Sequence, residues 1–288
     1  MATIARAGLR DRSLQVRATR DRELLREFLE EDRLFAAYAI CDLDEREFGR
    51  TRWGVALRSG QPTAVVLEYS GHSPQPVFAM GEPQGVDAIL DDVIRPRVAY
   101  VSTRMELLPA VAGHYRVDPG PEMVRMVVDR ATFVPLSGPV ARLVPADIGE
   151  VNRLYDLGFA SWLPADTLLH GVYYGIRIDG KLIAAAGTHV ISREARLGVV
   201  GNVLTHKDHR GQGHAKLTTA AVTADLLRTC DQVVLNVRSD NPPALAAYRA
   251  IGFREHTRFE ERIVHRRGAL WDSIVSPFRR WFPTHKES

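Results

Sequence analysis

Hydrophobic positions along this chain switch repeatedly between a period of two and a period of three to four, and the switches mark the elements. A strand over 14–17 gives way to Thr19, a helix cap, and then to Leu24, Leu25, Phe28 and Leu29, the buried stripe of an amphipathic helix. A second helix is predicted over 34–43. Strand-like runs follow at 53–57, 63–69 and 76–80, then a helix over 86–94, a strand over 98–102, a helix over 105–115 and a strand over 123–128.

The Pro/Gly/Ser cluster Phe133-Val134-Pro135-Leu136-Ser137-Gly138-Pro139 interrupts the pattern and places a linker over 133–140. Beyond it the spacing predicts a strand over 141–144, helices over 147–157 and 165–170, and strands over 172–178, 182–190 and 197–205. A long helix over 213–229, a strand over 232–237, a helix over 242–251 and a final strand over 253–264 complete the series. The order of elements is the same on both sides of the linker, although residue identity between the halves is too weak to align. The chain therefore reads as an internal duplication. Two α/β lobes are expected, over 1–132 and 141–264, each a central mixed β-sheet flanked by helices, with a tail over 265–288.

Composition narrows the class. Hydrophobic residues at 45% and charged residues at 25% are ordinary for a folded globular protein. No apolar run approaches the ~18 residues of a membrane span, and the arginine-rich start lacks the apolar core of a signal peptide, so a cytoplasmic protein is expected. Only Cys41 and Cys230 are present, with no spacing that suits a metal; two reduced thiols and no metal site are expected. The balance of 38 basic to 35 acidic residues, +3 net, is no nucleic-acid footprint and fits an acidic small molecule better.

Two segments carry candidate chemistry. In the first, a strand ending at Val203-Leu204-Thr205 runs through His206 to Arg210 into Gly211-Gln212-Gly213-His214-Ala215-Lys216, where a helix begins. Glycines there allow close approach of a ligand, and the free N–H groups and positive dipole end of a helix suit a pyrophosphate; a plain glycine turn capping a helix is the other reading. In the second, Asp240 or Asn241 can cap a helix opened by Pro242 and Pro243 and closed by Gly252, and Tyr248 follows Asn241 by two helical turns on one face.

With both segments in this order, residues 141–264 resemble the GNAT superfamily of acyl-coenzyme A dependent N-acyltransferases. Arg210 to Ala215 matches the family's pyrophosphate motif, and Asn241 to Phe253 is similar to its later Asn, Ala, Tyr, Gly-Phe segment. Lys207, His209 and His214 depart from it, standing where proline, an aromatic and an apolar residue are common. The resemblance implies acetyl-coenzyme A as cosubstrate. It implies that the main chain of Val203, Leu204 and Thr205 holds the pantetheine arm, and that Arg210, Gly211, Gln212, Gly213, His214, Ala215 and Lys216 hold the pyrophosphate. Asn241 would bind the coenzyme's amide region, and Tyr248 would face the thioester sulfur as proton donor. In the upstream half the matching junction, Met80-Gly81-Glu82-Pro83-Gln84-Gly85-Val86-Asp87, carries acidic residues and a proline, so that lobe is expected to be a degenerate copy without coenzyme.

An acceptor ammonium must lose a proton before it attacks, and His189 is the candidate base, with Glu194 and Asp156 behind it and a merely packed or exposed strand histidine as the alternative. The tail places Leu270, Trp271, Ile274, Val275, Phe278, Trp281 and Phe282 at helical spacing. That stripe suits docking on the protein's own body or on a second copy as a homodimer better than a membrane surface. The function expected is transfer of an acyl group, most simply acetyl, to a primary amine; a module that binds or senses acyl-coenzyme A without turnover is the alternative.

Overall fold

The computed structural model describes residues 13–70, 73–156, 163–164 and 166–268. In chain order the elements are β1 (Leu14–Thr19), α1 (Arg22–Glu30), α2 (Ala37–Cys41), α3 (Glu45–Phe48), β2 (Thr51–Arg58), β3 (Gln61–Tyr69), β4 (Gln75–Gly81), α4 (Pro83–Asp92), β5 (Val98–Thr103), α5 (Leu108–His114), β6 (Tyr115–Val117) and β7 (Glu122–Asp129). They continue with β8 (Ala141–Arg142), α6 (Ile148–Tyr155), α7 (Thr167–His170), β9 (Tyr174–Ile178), β10 (Lys181–Ser192), β11 (Leu197–Thr205), α8 (His214–Leu226), β12 (Gln232–Arg238), α9 (Pro242–Arg249) and β13 (Arg254–Arg266).

Two compact units share these elements. Unit 1 takes the chain up to Phe28, Arg50–Gly120 and the stretch from Glu260 on; unit 2 takes Leu29–Gly49 and Pro121–Phe259. This division differs from lobes separated at 133–140. Strand β7, upstream of the linker, pairs along the whole length of β12, from Gln232↔Asp129 to Arg238↔Met123, and α2 packs on β10 and β11. Conversely, the end of β13 pairs with β5 from Glu260↔Thr103 to His265↔Val98. Periodicity names a strand but not its partner, and the partners draw these borders.

Unit 1 is a mixed sheet in the order β1-β2-β3-β4-β5-β13, antiparallel except for the parallel β4/β5 pair. Ser59 and Gly60, both at positive φ, make the two-residue turn between β2 and β3. Helix α4 buries Val86, Ile89 and Leu90 on the sheet. It lies close because Gly85 has no side chain: a Cβ there would stand 2.6 Å from that of Ala64. The helix expected over 105–115 is a 3-10 turn, α5 and the short strand β6, and α3 was not expected.

Unit 2 repeats the arrangement, β8-β9-β10-β11-β12-β7, again antiparallel apart from one parallel pair, β11/β12. Asp179 and Gly180, at positive φ, turn β9 into β10. One core, including Val200, Leu226, Val233, Leu235 and Phe253, lies under α8 and α9; a second, including Val151, Leu154, Tyr155 and Tyr173, lies under α6. Both cysteines are buried free thiols, and burial raises both pKa values. The last strand runs two residues past its expected end, to Arg266, and the apolar stripe from Leu270 lies outside the described residues.

Candidate functional site

The parallel pairs of the two units end differently. In unit 2 the β11/β12 register runs from Leu197↔Gln232 only to Val200↔Leu235, after which β11 continues through Gly201 to Thr205 and β12 through Asn236 to Arg238 without pairing to each other. Main-chain groups along an open edge are hydrogen-bonding sites for an extended ligand. In unit 1, β4 and β5 pair as far as Ala79↔Thr103, the last residue of β5, and the Thr103 hydroxyl donates to the Ala79 carbonyl at 3.1 Å. That pair is closed.

At the end of β11 a 3-10 turn over Lys207–His209 leads into the glycine loop. Gly211 and Gly213 have φ of +77° and +80°, so the loop needs them, and a Cβ at either would meet nothing within 4 Å. The space above the loop is open. Gly213 is the N-cap of α8, and among the described residues the N–H groups of Gly211 to Lys216 meet no acceptor. Arg210 is exposed, with its Nε 3.3 Å from the Thr205 carbonyl, and Lys216 is half-buried. Two polar atoms here are buried without a partner, Thr205 Oγ1 and His214 Nδ1, although His214 Nε2 lies 3.3 Å from Gln212 Oε1. A donor-rich, positively charged loop with such atoms beside it fits a polyphosphate and its attached arm. At the matching junction of unit 1 the residue before α4 is Glu82, an exposed carboxylate paired with Arg58 at 2.7 Å.

Three comparisons bear on this geometry. Residues 173–263 match the family model of FR47-like proteins. A GCN5-related N-acetyltransferase from Sphaerobacter thermophilus superposes with a TM-score of 0.61 at 15% identity, over 89% of this chain and 96% of that one. A tandem GNAT protein from the clavulanic acid biosynthesis pathway superposes at 0.54 and 14%, over 89% and 99%, and a GCN5-related N-acetyltransferase from Kribbella flavida at 0.53 and 18%, over 73% and 89%. The fold is that of the GNAT superfamily. No curated protein matches the chain in sequence.

Within this GNAT fold, α9 is capped by Asn241, whose Oδ1 accepts from the Ala244 N–H at 3.2 Å; its Nδ2 points to no described acceptor. Two turns on, Tyr248 is 7% exposed and packs against Phe253, with ring centroids 6.2 Å apart. Its hydroxyl has no hydrogen-bond partner among the described residues, and burial pushes it up to about 12. It is therefore a phenol that stays protonated and has a free donor.

His189 lies on β10 across from the start of the opening, exposed, with its ring against Gly201 and 5.8 Å from that of Tyr38. Glu194 stands in the β10/β11 turn, at the other end of β11 from the glycine loop, and Asp156 is an exposed residue at the end of α6. Val203 to Thr205, Arg210 to Lys216, Asn241, Tyr248 and His189 all lie in unit 2, as does Glu194, which stands at the far end of β11 from the glycine loop. Sequence reasoning missed Tyr38, delivered by α2 from a distant part of the chain, and Arg125, a buried β7 residue stacked on Tyr38 and Phe259 at 5.2 and 5.3 Å. Neither sits in a motif. Among the described residues no cluster of His, Cys, Asp or Glu could hold a metal, and no helix is long and apolar enough to cross a membrane.

Proposed function

We propose that this protein is an acyl-coenzyme A dependent N-acyltransferase whose unit 2 holds one acetyl-coenzyme A and transfers the acetyl group to a primary amine. The observation that carries the reading is the asymmetry between the parallel pairs, open beside a donor-rich glycine loop in unit 2, closed beside Glu82 in unit 1. The main chain of Val203, Leu204 and Thr205 would hydrogen-bond the pantetheine arm as an added strand, and Thr205 Oγ1 would gain a partner. The N–H groups of Gly211 to Lys216, with Arg210, would hold the pyrophosphate.

His189 takes a proton from the acceptor ammonium, and the amine nitrogen attacks the thioester carbonyl carbon. As the carbon–sulfur bond breaks, the nitrogen of the adduct releases its surplus proton to solvent, and the Tyr248 hydroxyl donates its own to the departing sulfur and recovers one from solvent. The products are the amide and the free thiol. Unit 1, whose parallel pair is closed, would not bind coenzyme.

Calorimetry and thiol release test this. One acetyl-coenzyme A per chain is expected, abolished by Gly213→Asp, which sets a carboxylate against the pyrophosphate, and weakened far less by Gly213→Ala. A stoichiometry of two, or undiminished affinity in the Asp variant, overturns the assignment to unit 2. Tight binding with no thiol release over a broad panel of amines assigns a binding module instead of an enzyme.

A further inference from the structure

β11, which borders the opening, and its neighbour on the other side, β10, are both bulged where the opening begins. Between Ala185↔Leu204 and Gly187↔Gly201 the extra residue is in β11; between Thr188↔Val200 and Val190↔Val199 it is His189 in β10. Within the first bulge Asn202 has φ of +52°. The other described non-glycine residues with such φ, Ser59, Asp179 and Arg196, lie in turns between strands; Asn202 alone is inside one. A left-handed residue within a strand persists only where its surroundings impose it.

A chain of hydrogen bonds between Asn202 and two buried tyrosines imposes it. The Tyr155 hydroxyl donates to the Asn202 carbonyl. Asn202 Nδ2 donates to the Tyr173 hydroxyl at 2.8 Å, and that hydroxyl donates to the Thr188 carbonyl at 3.0 Å. Both tyrosines are almost fully buried, which raises both phenols and keeps them neutral donors. Tyr173 thus spends one acceptor and one donor, tying the β11 bulge to the residue that precedes His189 in the β10 bulge. Motion in either bulge must break this chain.

We infer that Tyr155, Asn202 and Tyr173 are positioning residues for acyl transfer: together they hold the main chain after Asn202 and the site of His189 in fixed relation at the mouth of the opening, where the thioester carbonyl would sit. None of the three need touch substrate. The inference rests on unit 2 holding acetyl-coenzyme A in the opening. Rigid main-chain donors aimed at the carbonyl polarise it, whereas displacement on the order of 1 Å costs on the order of 10²-fold in rate.

The test uses the full chain with Tyr173→Phe, which removes both hydrogen bonds and keeps the ring, and with Asn202→Gly, which keeps the left-handed backbone and removes the side chain. Acetyl-coenzyme A bound with a 13C carbonyl is observed by isotope-edited infrared spectroscopy, alongside calorimetric affinity, melting, and kcat and KM for an amine that supports thiol release. In the wild type the bound carbonyl stretch should lie below its free value. In each variant it should return toward that value, with affinity and KM unchanged and kcat lower on the order of 10²-fold. The double variant should be no worse than Tyr173→Phe alone, because the two act in one chain. A lower melting temperature with wild-type carbonyl frequency and kcat means a structural role only and overturns the inference. Binding by the wild type without a carbonyl shift overturns it also, while absence of binding overturns the coenzyme reading beneath it.

Discussion

Gly187 and Gly201 face each other across β10 and β11, and adding one methyl to each should have opposite consequences. At Gly187 a Cβ would lie 2.0, 2.2 and 2.4 Å from Cε1, Cδ1 and Cζ of Tyr173, whose ring is fully buried and whose hydroxyl is bonded to Asn202 and Thr188. Carbon atoms need ~3.5 Å, so the ring must move by roughly 1.5 Å with no free volume to receive it. Overpacking of this kind costs about 1–3 kcal/mol and each lost hydrogen bond about 1 kcal/mol, against a gain of ~0.5–1 kcal/mol from removing a strand glycine. We expect Gly187→Ala to lose about 2–3 kcal/mol, a fall in Tm of roughly 4–10 °C. At Gly201 the Cβ would stand 1.8 Å from Cδ2 and 2.0 Å from Nε2 of His189, but this ring is exposed and can turn away. Stability should then change by less than about 1 kcal/mol. The displaced imidazole would leave the ~2.6–3.2 Å reach of a general base, and turnover should fall ~10²–10⁴-fold with acetyl-coenzyme A affinity intact. Urea unfolding and thiol-release kinetics on both variants decide it. A Gly187→Ala protein as stable as the wild type refutes the packing argument; a Gly201→Ala protein with full turnover removes His189 from the reaction.

Tyr248→Phe should lower turnover by ~10²–10⁴-fold while Tm and coenzyme affinity hold, since the hydroxyl has no partner to lose among the described residues; near-wild-type turnover eliminates the proton-donor role. Because burial pushes that hydroxyl up to about 12, no alkaline loss of activity below that pH should trace to it. Asp42 offers a separate check: burial first, then the charges of Glu47 and Asp44, raise its carboxyl from 3.8 to about 8, so the folded chain favours the protonated form. That stabilisation is complete below the unfolded value near pH 4 and is lost as pH rises through about 8. Asp42→Asn should therefore be more stable than the wild type at pH 9, by about 1–2 kcal/mol because the side chain keeps some solvent contact, with less advantage at pH 5. Urea titrations at the two pH values that show an equal or reversed difference would rule this out.

Much of unit 2 is legible without coordinates because its signals are local. The Asn241-Pro242-Pro243 opening of α9 and Gly252 beyond its end, the Asp179-Gly180 turn, and the Gly211-Gln212-Gly213 loop at the head of α8 each work within a few residues, through capping or a left-handed backbone that glycine supplies. The alternating element order of the two halves was readable for the same reason. What no local pattern contains is which strand pairs with which, and how far. That β7 joins β12, that α2 brings Tyr38 to His189, and that β11/β12 part after Val200↔Leu235 while β4/β5 stay zipped to Thr103 depend on side chains far apart in the chain packing against one another. The same holds for Asn202: its left-handed backbone is imposed by Tyr155 and Tyr173, distant residues whose hydroxyls meet it only once the core under α6 has closed.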